Sequence, residues 1–288
     1  MKKVSHYNGD ALWFHEKVLN SKRNSNDDPG YKQRMNGMIN VTASQFIEYD
    51  TRFANDKLEG MSHLMLSEDE VEDFLKLYRY KDARYKELIE MLSCDEKLHE
   101  YPYCPLCDIG EAHSLDHILP KGEFPVLCDH PRNLIRSCRS CNGWKSEIWL
   151  ENGKRKFLNL YIDDVPYVQM LFVNFGFDDG IATYEYYTSD VNQPDANLYR
   201  MYKNSFEKLH LDTRYAKFTS EEISLMVSRF KYSIRTYHAT DDQLKEDITA
   251  TAIDEQARHG LNYWRAILKL AICADDNMFA WMKNKALS

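Results

Sequence analysis

The sequence predicts a mostly helical α+β chain in which helical regions flank a short cysteine-framed module and one β-hairpin. Three observations carry that expectation. Residues able to cap a helix precede apolar stripes at helical spacing in both the first and the last third. Two C-x2-C pairs, Cys104 with Cys107 and Cys138 with Cys141, frame a segment of strand-like runs. The run "VQMLFVNFGF" meets "IATYEYYTS" across "DDG", the pattern of a hairpin with a tight glycine turn.

The division that follows is a helical region over residues 1–98, the module over 99–160, and a hairpin with further helices over 161–288. In the first region a polar, loop-like stretch covers residues 20–33. Ser67 and Glu70 then form a capping box that opens "EDEVEDFLKLYRYKDARYKELIEML", with Val71, Phe74, Leu75 and Tyr78 on one face. In the last region Thr219 to Glu222 is expected to cap a helix whose Ile223, Met226, Val227, Phe230 and Ile234 share a stripe. Thr240 to Gln243 caps another, and "LNYWRAILKLAICA" and "NMFAWMKNKAL" give two more. Their Trp264, Met278, Phe279 and Trp281 fit core packing first and a partner-docking face second.

The chain has 288 residues, 43% of them hydrophobic and 13% aromatic, enough to pack a substantial core. No apolar run approaches a membrane span and the start lacks an apolar leader, so the expected setting is the cytoplasm, with no membrane partner. Seven cysteines, four of them in C-x2-C pairs, suit a metal in a reducing compartment better than a disulfide framework. A net charge of -8 excludes a protein that coats nucleic acid by bulk charge. Any such contact must be local, and residues 131–156 concentrate Arg132, Arg136, Arg139, Lys145, Lys154, Arg155 and Lys156 against Glu147 and Glu151. A solvated charged face is the bland alternative.

Four thiolates at two knuckles match a closed tetrahedral zinc site, which gives a module too small for its own core a source of stability of the order of 10 kcal/mol. Cys94, Cys128 and Cys273 have no partner at ligand spacing and read as small buried hydrophobes. A closed site has no position for Asp116 and His117, which sit together in "SLDHILPK", so they need separate work. Strand alternation places them on opposite faces, and both can reach one centre only where the strand ends or twists. A second strand beginning at Asn133 and a helical "SCNGWKSEIWL" complete a strand, loop, strand, helix unit with metal-type residues at its edge, a ββα-metal finger.

Asp116-His117, Asn133, Asn142 and Lys145, framed by the cysteine pairs, resemble the HNH nucleases with a zinc-stabilised ββα-metal (His-Me finger) core, over about residues 104–150. The resemblance implies that His117 is the general base, that Asp116 and Asn142 bind Mg2+ or Mn2+, that Asn133 holds the loop and orients the histidine, and that Lys145 contacts a phosphate. Lys121, Arg136 and Arg139 join Lys145 as expected nucleic-acid contacts. The wording "LDHILPKGEFPVL...PRNLIRSCRSCNGWKS" further resembles the HNH subunits of Septu-type and retron-associated antiphage defence systems, which implies an ATPase partner. The residue types fit phosphodiester hydrolysis independently: imidazole can take a proton from water at neutral pH, and a sparse oxygen set suits a hydrated hard cation. Asp129-His130 is a rival pair, set aside because Asn133 lies only three residues beyond it; His130 and His113 are expected at the surface or behind the site.

The leading expectation is therefore a metal-dependent endonuclease acting on nucleic acid, DNA ahead of RNA. A site-specific restriction or homing nuclease is a second reading, although no basic recognition helix is evident. A zinc-binding adaptor without catalysis is a third.

Overall fold

A computed structural model describes residues 1–79, 81–93, 101–164 and 168–288, and the chain divides into two compact units. One unit comprises Lys3–Asp163; the other comprises Met1–Lys2 with Asp164–Ser288. The helices that precede the cysteine-framed segment thus share a unit with it. Cys94 lies outside the described residues.

The first unit opens with α1 (Ala11–Ser21), α2 (Tyr31–Gly37), α3 (Ile39–Ala54), α4 (Glu68–Leu75) and α5 (Ala83–Met91). Asp10 caps α1 by accepting from the amide of Trp13, and the capping box at Ser67 and Glu70 starts α4 as expected. The single helix expected from residue 67 onward is instead two, because Asp82 adopts extended backbone and starts α5. Lys22 of the turn after α1 donates to the Asp82 carboxylate at 2.6 Å, which ties this break to the body of the unit.

These helices close over a two-stranded antiparallel sheet, β1 (Ser114–His117) with β2 (Leu134–Ser137). Phe14, Val18, Tyr31, Phe74, Tyr85 and Leu88 bury their side chains with Leu115, Val126 and Leu134 in one cluster. Each such burial contributes about 1.5–3 kcal/mol, so the small sheet does not stand on its own apolar surface. The pairing sets Asp116 opposite Ile135 and His117 opposite Leu134. The connection carries 3-10 turns at Pro125–Leu127 and Pro131–Asn133, and α6 (Arg139–Lys145) follows β2 directly. One short antiparallel pair, β3 (Leu150–Glu151) with β4 (Lys154–Arg155), closes the unit.

The second unit begins with the hairpin of β5 (Leu171–Asp178) and β6 (Ile181–Thr188). Asp179 and Gly180 both have positive φ, 47° and 76°, as a two-residue turn between antiparallel strands requires. Asn262 stabilises the entry to the hairpin by accepting from the amides of Met170 and Leu171. Four helices pack on it after α7 (Ala196–Lys208): α8 (Leu211–Tyr237), α9 (Asp241–His259), α10 (Trp264–Ala274) and α11 (Asp276–Leu287). Thr240 and Gln243 form the expected capping box. Thr219 does not cap a helix. It lies inside the 27-residue α8, buried, with Oγ1 donating to the Tyr215 carbonyl and pairing with the Tyr186 hydroxyl at 2.9 Å.

The core packing expected first of the last two helices holds, and it leaves little of the docking face that was the second expectation. Trp264, Met278 and Phe279 are buried, and Trp281 is half-buried with its indole N–H donating to the Gly180 carbonyl. Among the described residues no helix is long and apolar enough to cross a membrane.

Candidate functional site

The cysteine pairs converge. The first knuckle is a tight hairpin in which Tyr103 bridges Glu111, the Cys104 amide donates to the Gly110 carbonyl at 2.7 Å, and Asp108 takes a positive φ of 55°. A Cβ placed on Gly110 would lie 3.0 Å from the Cβ of Cys138, so the absence of a side chain there lets the two knuckles meet. All four thiols are buried, their sulfurs lie within 4.8 Å of one another, and Cys107 and Cys138 are 3.9 Å apart. A tetrahedron with arms of roughly 2.3 Å has an edge of about 3.8 Å. The four cysteines are therefore placed to hold a metal ion such as zinc. Cys138 is also the N-cap of α6, which fixes the start of that helix against β1.

Asp116 and His117 end β1, and α6 supplies their neighbours. The carboxylate of Asp116 is buried and its Oδ2 lies 2.9 Å from Nζ of Lys145, which also donates to the His117 carbonyl at 2.7 Å. Burial pushes the Asp116 carboxyl up from its ordinary range, partly offset by the Lys145 charge. Asn142, one turn earlier in α6, donates through Nδ2 to the Leu115 carbonyl at 3.2 Å. Because a carbonyl only accepts, the amide nitrogen must face the strand, and Oδ1 is left as the acceptor.

The His117 ring, at the last position of β1, packs edge-on to Tyr78 at 4.5 Å. Its Nε2 is 2.9 Å from the Cys128 carbonyl and must carry the proton, so Nδ1 holds the lone pair. Burial brings its pKa down to about 4, helped by the Lys121 and Lys145 charges against the carbonyl contact. His117 is consequently neutral at physiological pH.

Asn133 ends the turn just before β2 and is fully buried. It accepts from the Leu119 amide at 2.7 Å and donates to the carbonyls of Leu119 and Leu127. The loop between the strands is thereby pinned at both ends by one side chain.

The expected nucleic-acid contacts divide. Lys121 and Arg139 are exposed. Arg136 is not available: it is buried and donates to the carbonyls of Tyr101 and Leu92, so its charge serves the fold. The cationic window is likewise less free than its composition suggests. Arg132 pairs with Asp50 at 2.6 Å, and Arg155 is buried against Asp163, Asp56 and Glu59. Their partners lie outside the window, where a local charge count does not reach.

His113 is exposed, as expected, but His130 is fully buried, 3.4 Å from Asp50 and packed on Phe46 and Tyr49. Asp129 is also buried and bonded to His15, so the rival Asp-His pair is built into the interior. Cys128 is buried and donates to the Phe74 carbonyl, while Cys273 is half-buried. Sequence reasoning missed His15, Tyr78 and the Cys128 carbonyl. No local pattern marks them: His15 and Tyr78 reach the site through the folding of the region before the module, and the Cys128 carbonyl through the path of the loop between β1 and β2.

Fold and site together describe an α+β chain in which a four-thiol cluster able to hold a metal braces a strand–strand–helix unit bearing an acid, an imidazole, two amides and an amine. No family model matches the chain and no solved structure matches it. It is similar to Protein ea31 of Escherichia phage lambda, at 26% identity over 189 residues. The similar stretch is 61% of this chain and 63% of that protein, so the chain spans less than two thirds of its relative's length.

Proposed function

We propose that this chain is an HNH-type endonuclease that hydrolyses phosphodiester bonds of nucleic acid, with a structural zinc in the four-cysteine site. The observation that carries the reading is the His117 ring: one nitrogen is committed to the Cys128 carbonyl, and the neutral imidazole keeps a lone pair on the other. That is the state a general base needs.

The donor set at the strand end fits a hard cation. One carboxylate and one amide oxygen are too few to enclose an ion, which suits a metal that keeps several waters. The Asp116 carboxylate already has an ammonium 2.9 Å away, so the position favours positive charge. Asp116 and Asn142 would hold Mg2+ or Mn2+, which when bound neutralises charge on the phosphate and the leaving 3' oxygen. His117 takes a proton from the attacking water at Nδ1. Asn133 holds the loop that carries the Cys128 carbonyl, and Lys145, released from Asp116, neutralises a phosphate oxygen. Lys121 and Arg139 meet the backbone, which makes DNA and RNA both admissible substrates, with DNA preferred.

The role in antiphage defence beside an ATPase rests on the motif resemblance alone, since the relative is a phage protein. The zinc-binding adaptor remains the reading from another class, and the full set of Asp116, His117, Asn133, Asn142 and Lys145 argues against it. Incubating the zinc-loaded protein with supercoiled plasmid and Mn2+ tests the proposal. Nicking that is lost on adding a chelator and in His117→Ala is expected; no cleavage of DNA or RNA under any divalent ion would refute it.

A further inference from the structure

The N-terminal helices contact the loop behind His117 through a buried pair. Nδ1 of His15, on α1, lies 2.8 Å from Oδ2 of Asp129, 114 residues away, and neither side chain is exposed. The other two polar atoms of the pair, Nε2 of His15 and Oδ1 of Asp129, are buried without a hydrogen-bond partner among the described residues. Such a pair is a poor device for stability, because well-packed apolar residues in its place are often as stable or more so. A half-satisfied buried polar contact needs another explanation.

Its position supplies one. Asp129 directly follows Cys128, whose carbonyl receives the Nε2 proton of His117. The same loop is held before that carbonyl by Asn133, which donates to Leu127, and through the Cys128 thiol, which donates to the Phe74 carbonyl. The His15 contact restrains the side chain that follows the carbonyl. Together these leave the Cys128 peptide little freedom to turn.

We infer that His15 and Asp129 are positioning residues for the reaction: by fixing the Cys128 carbonyl they hold His117 in the tautomer that leaves its lone pair on Nδ1. The inference rests on His117 being the base. If the carbonyl drifts, the imidazole proton distributes over both nitrogens and the ring turns, which lowers turnover with little effect on substrate affinity. The helical region before the module then belongs to the catalytic apparatus.

The test uses the full-length, zinc-loaded protein. In His15→Leu/Asp129→Leu both polar groups are removed, so no orphan charge remains to unfold the chain. We expect this variant to retain its zinc, to change KM less than about twofold, and to lose roughly tenfold to a hundredfold in kcat. Asp129→Asn, which can still accept from His15, should recover most of that loss. The tautomer of His117, read by long-range proton–nitrogen correlation, should be the Nε2–H form in the wild type and mixed in the double variant. A folded double variant with wild-type kcat, alongside an inactive His117→Ala, overturns the positioning role alone. Activity in His117→Ala overturns the reading beneath it. Should the double variant fail to fold, Asp129→Leu and Asp129→Asn are compared by the same tautomer measurement, and an unchanged His117 in a folded Asp129→Leu overturns the inference.

Discussion

Nζ of Lys145 and Oδ2 of Asp116 stand 2.9 Å apart, and the same ammonium donates to the carbonyl of His117, so one lysine of α6 closes the end of the strand that bears both residues. In the proposed reaction this ammonium and a divalent ion are alternatives at the carboxylate. Lys145→Met should therefore lower thermal stability in chelator, since a buried carboxylate loses its counter-charge. Added Mn2+ should raise the melting temperature of the variant more than that of the wild type. Equal Mn2+ responses in a thermal-shift titration would show that the lysine and the metal do not share the site.

His117→Ala should lose about two to four orders of magnitude in cleavage rate while keeping its zinc and its circular dichroism spectrum. Asp116→Ala and Asn142→Ala should be partly restored by excess Mn2+, whereas His117→Ala should not. A plasmid-nicking assay across a metal titration separates the two behaviours.

The pH profile follows from the depressed His117 pKa of about 4. In the proposed reaction the neutral imidazole is the active form, so activity should be present above that value and lost as pH falls through it. The acid limb of kcat/KM should accordingly lie well below the pH 6.5 of an ordinary histidine. A limb near 6.5 in the free enzyme would mean that His117 is not held as described.

Metal analysis should find about one tightly bound zinc per chain. Cys138→Ser should yield protein that is insoluble or has lost zinc, because Cys138 both faces the other thiols and caps α6. A zinc-free, fully active Cys138→Ser variant would contradict the structural role.

Arg139→Ala and Arg136→Ala should part company. Loss of the exposed Arg139 is expected to weaken nucleic-acid binding and reduce the salt slope by about one, with unchanged stability. Arg136→Ala should destabilise by about 1–3 kcal/mol, since it leaves the Tyr101 carbonyl without its 2.8 Å donor, and should leave the salt slope alone. Denaturant melts and binding isotherms at several salt concentrations give both readouts.

Short-range chemistry is what the amino-acid order alone makes legible. Capping boxes at Ser67 and Thr240, the Asp179-Gly180 turn and the two C-x2-C pairs each act within a few residues, so spacing alone specified them. The hairpin that runs from Asp116-His117 to the strand after Asn133 was legible for the same reason, because a hairpin needs a minimum length that Asp129-His130 lacks. Tertiary structure decided everything that depends on a distant partner. Charge counting along residues 131–156 missed that Asp50, Asp56, Glu59 and Asp163 neutralise Arg132 and Arg155. Thr219 looked like a cap until Tyr186 gave its hydroxyl a buried partner inside a longer helix. The apolar stripe of α10 and α11 became core because the hairpin and α8 cover it. His15 had no local signal at all: its role arises only when α1 folds onto the loop behind His117, where burial makes a single hydrogen bond selective in a way that no neighbouring residue in the chain could reveal.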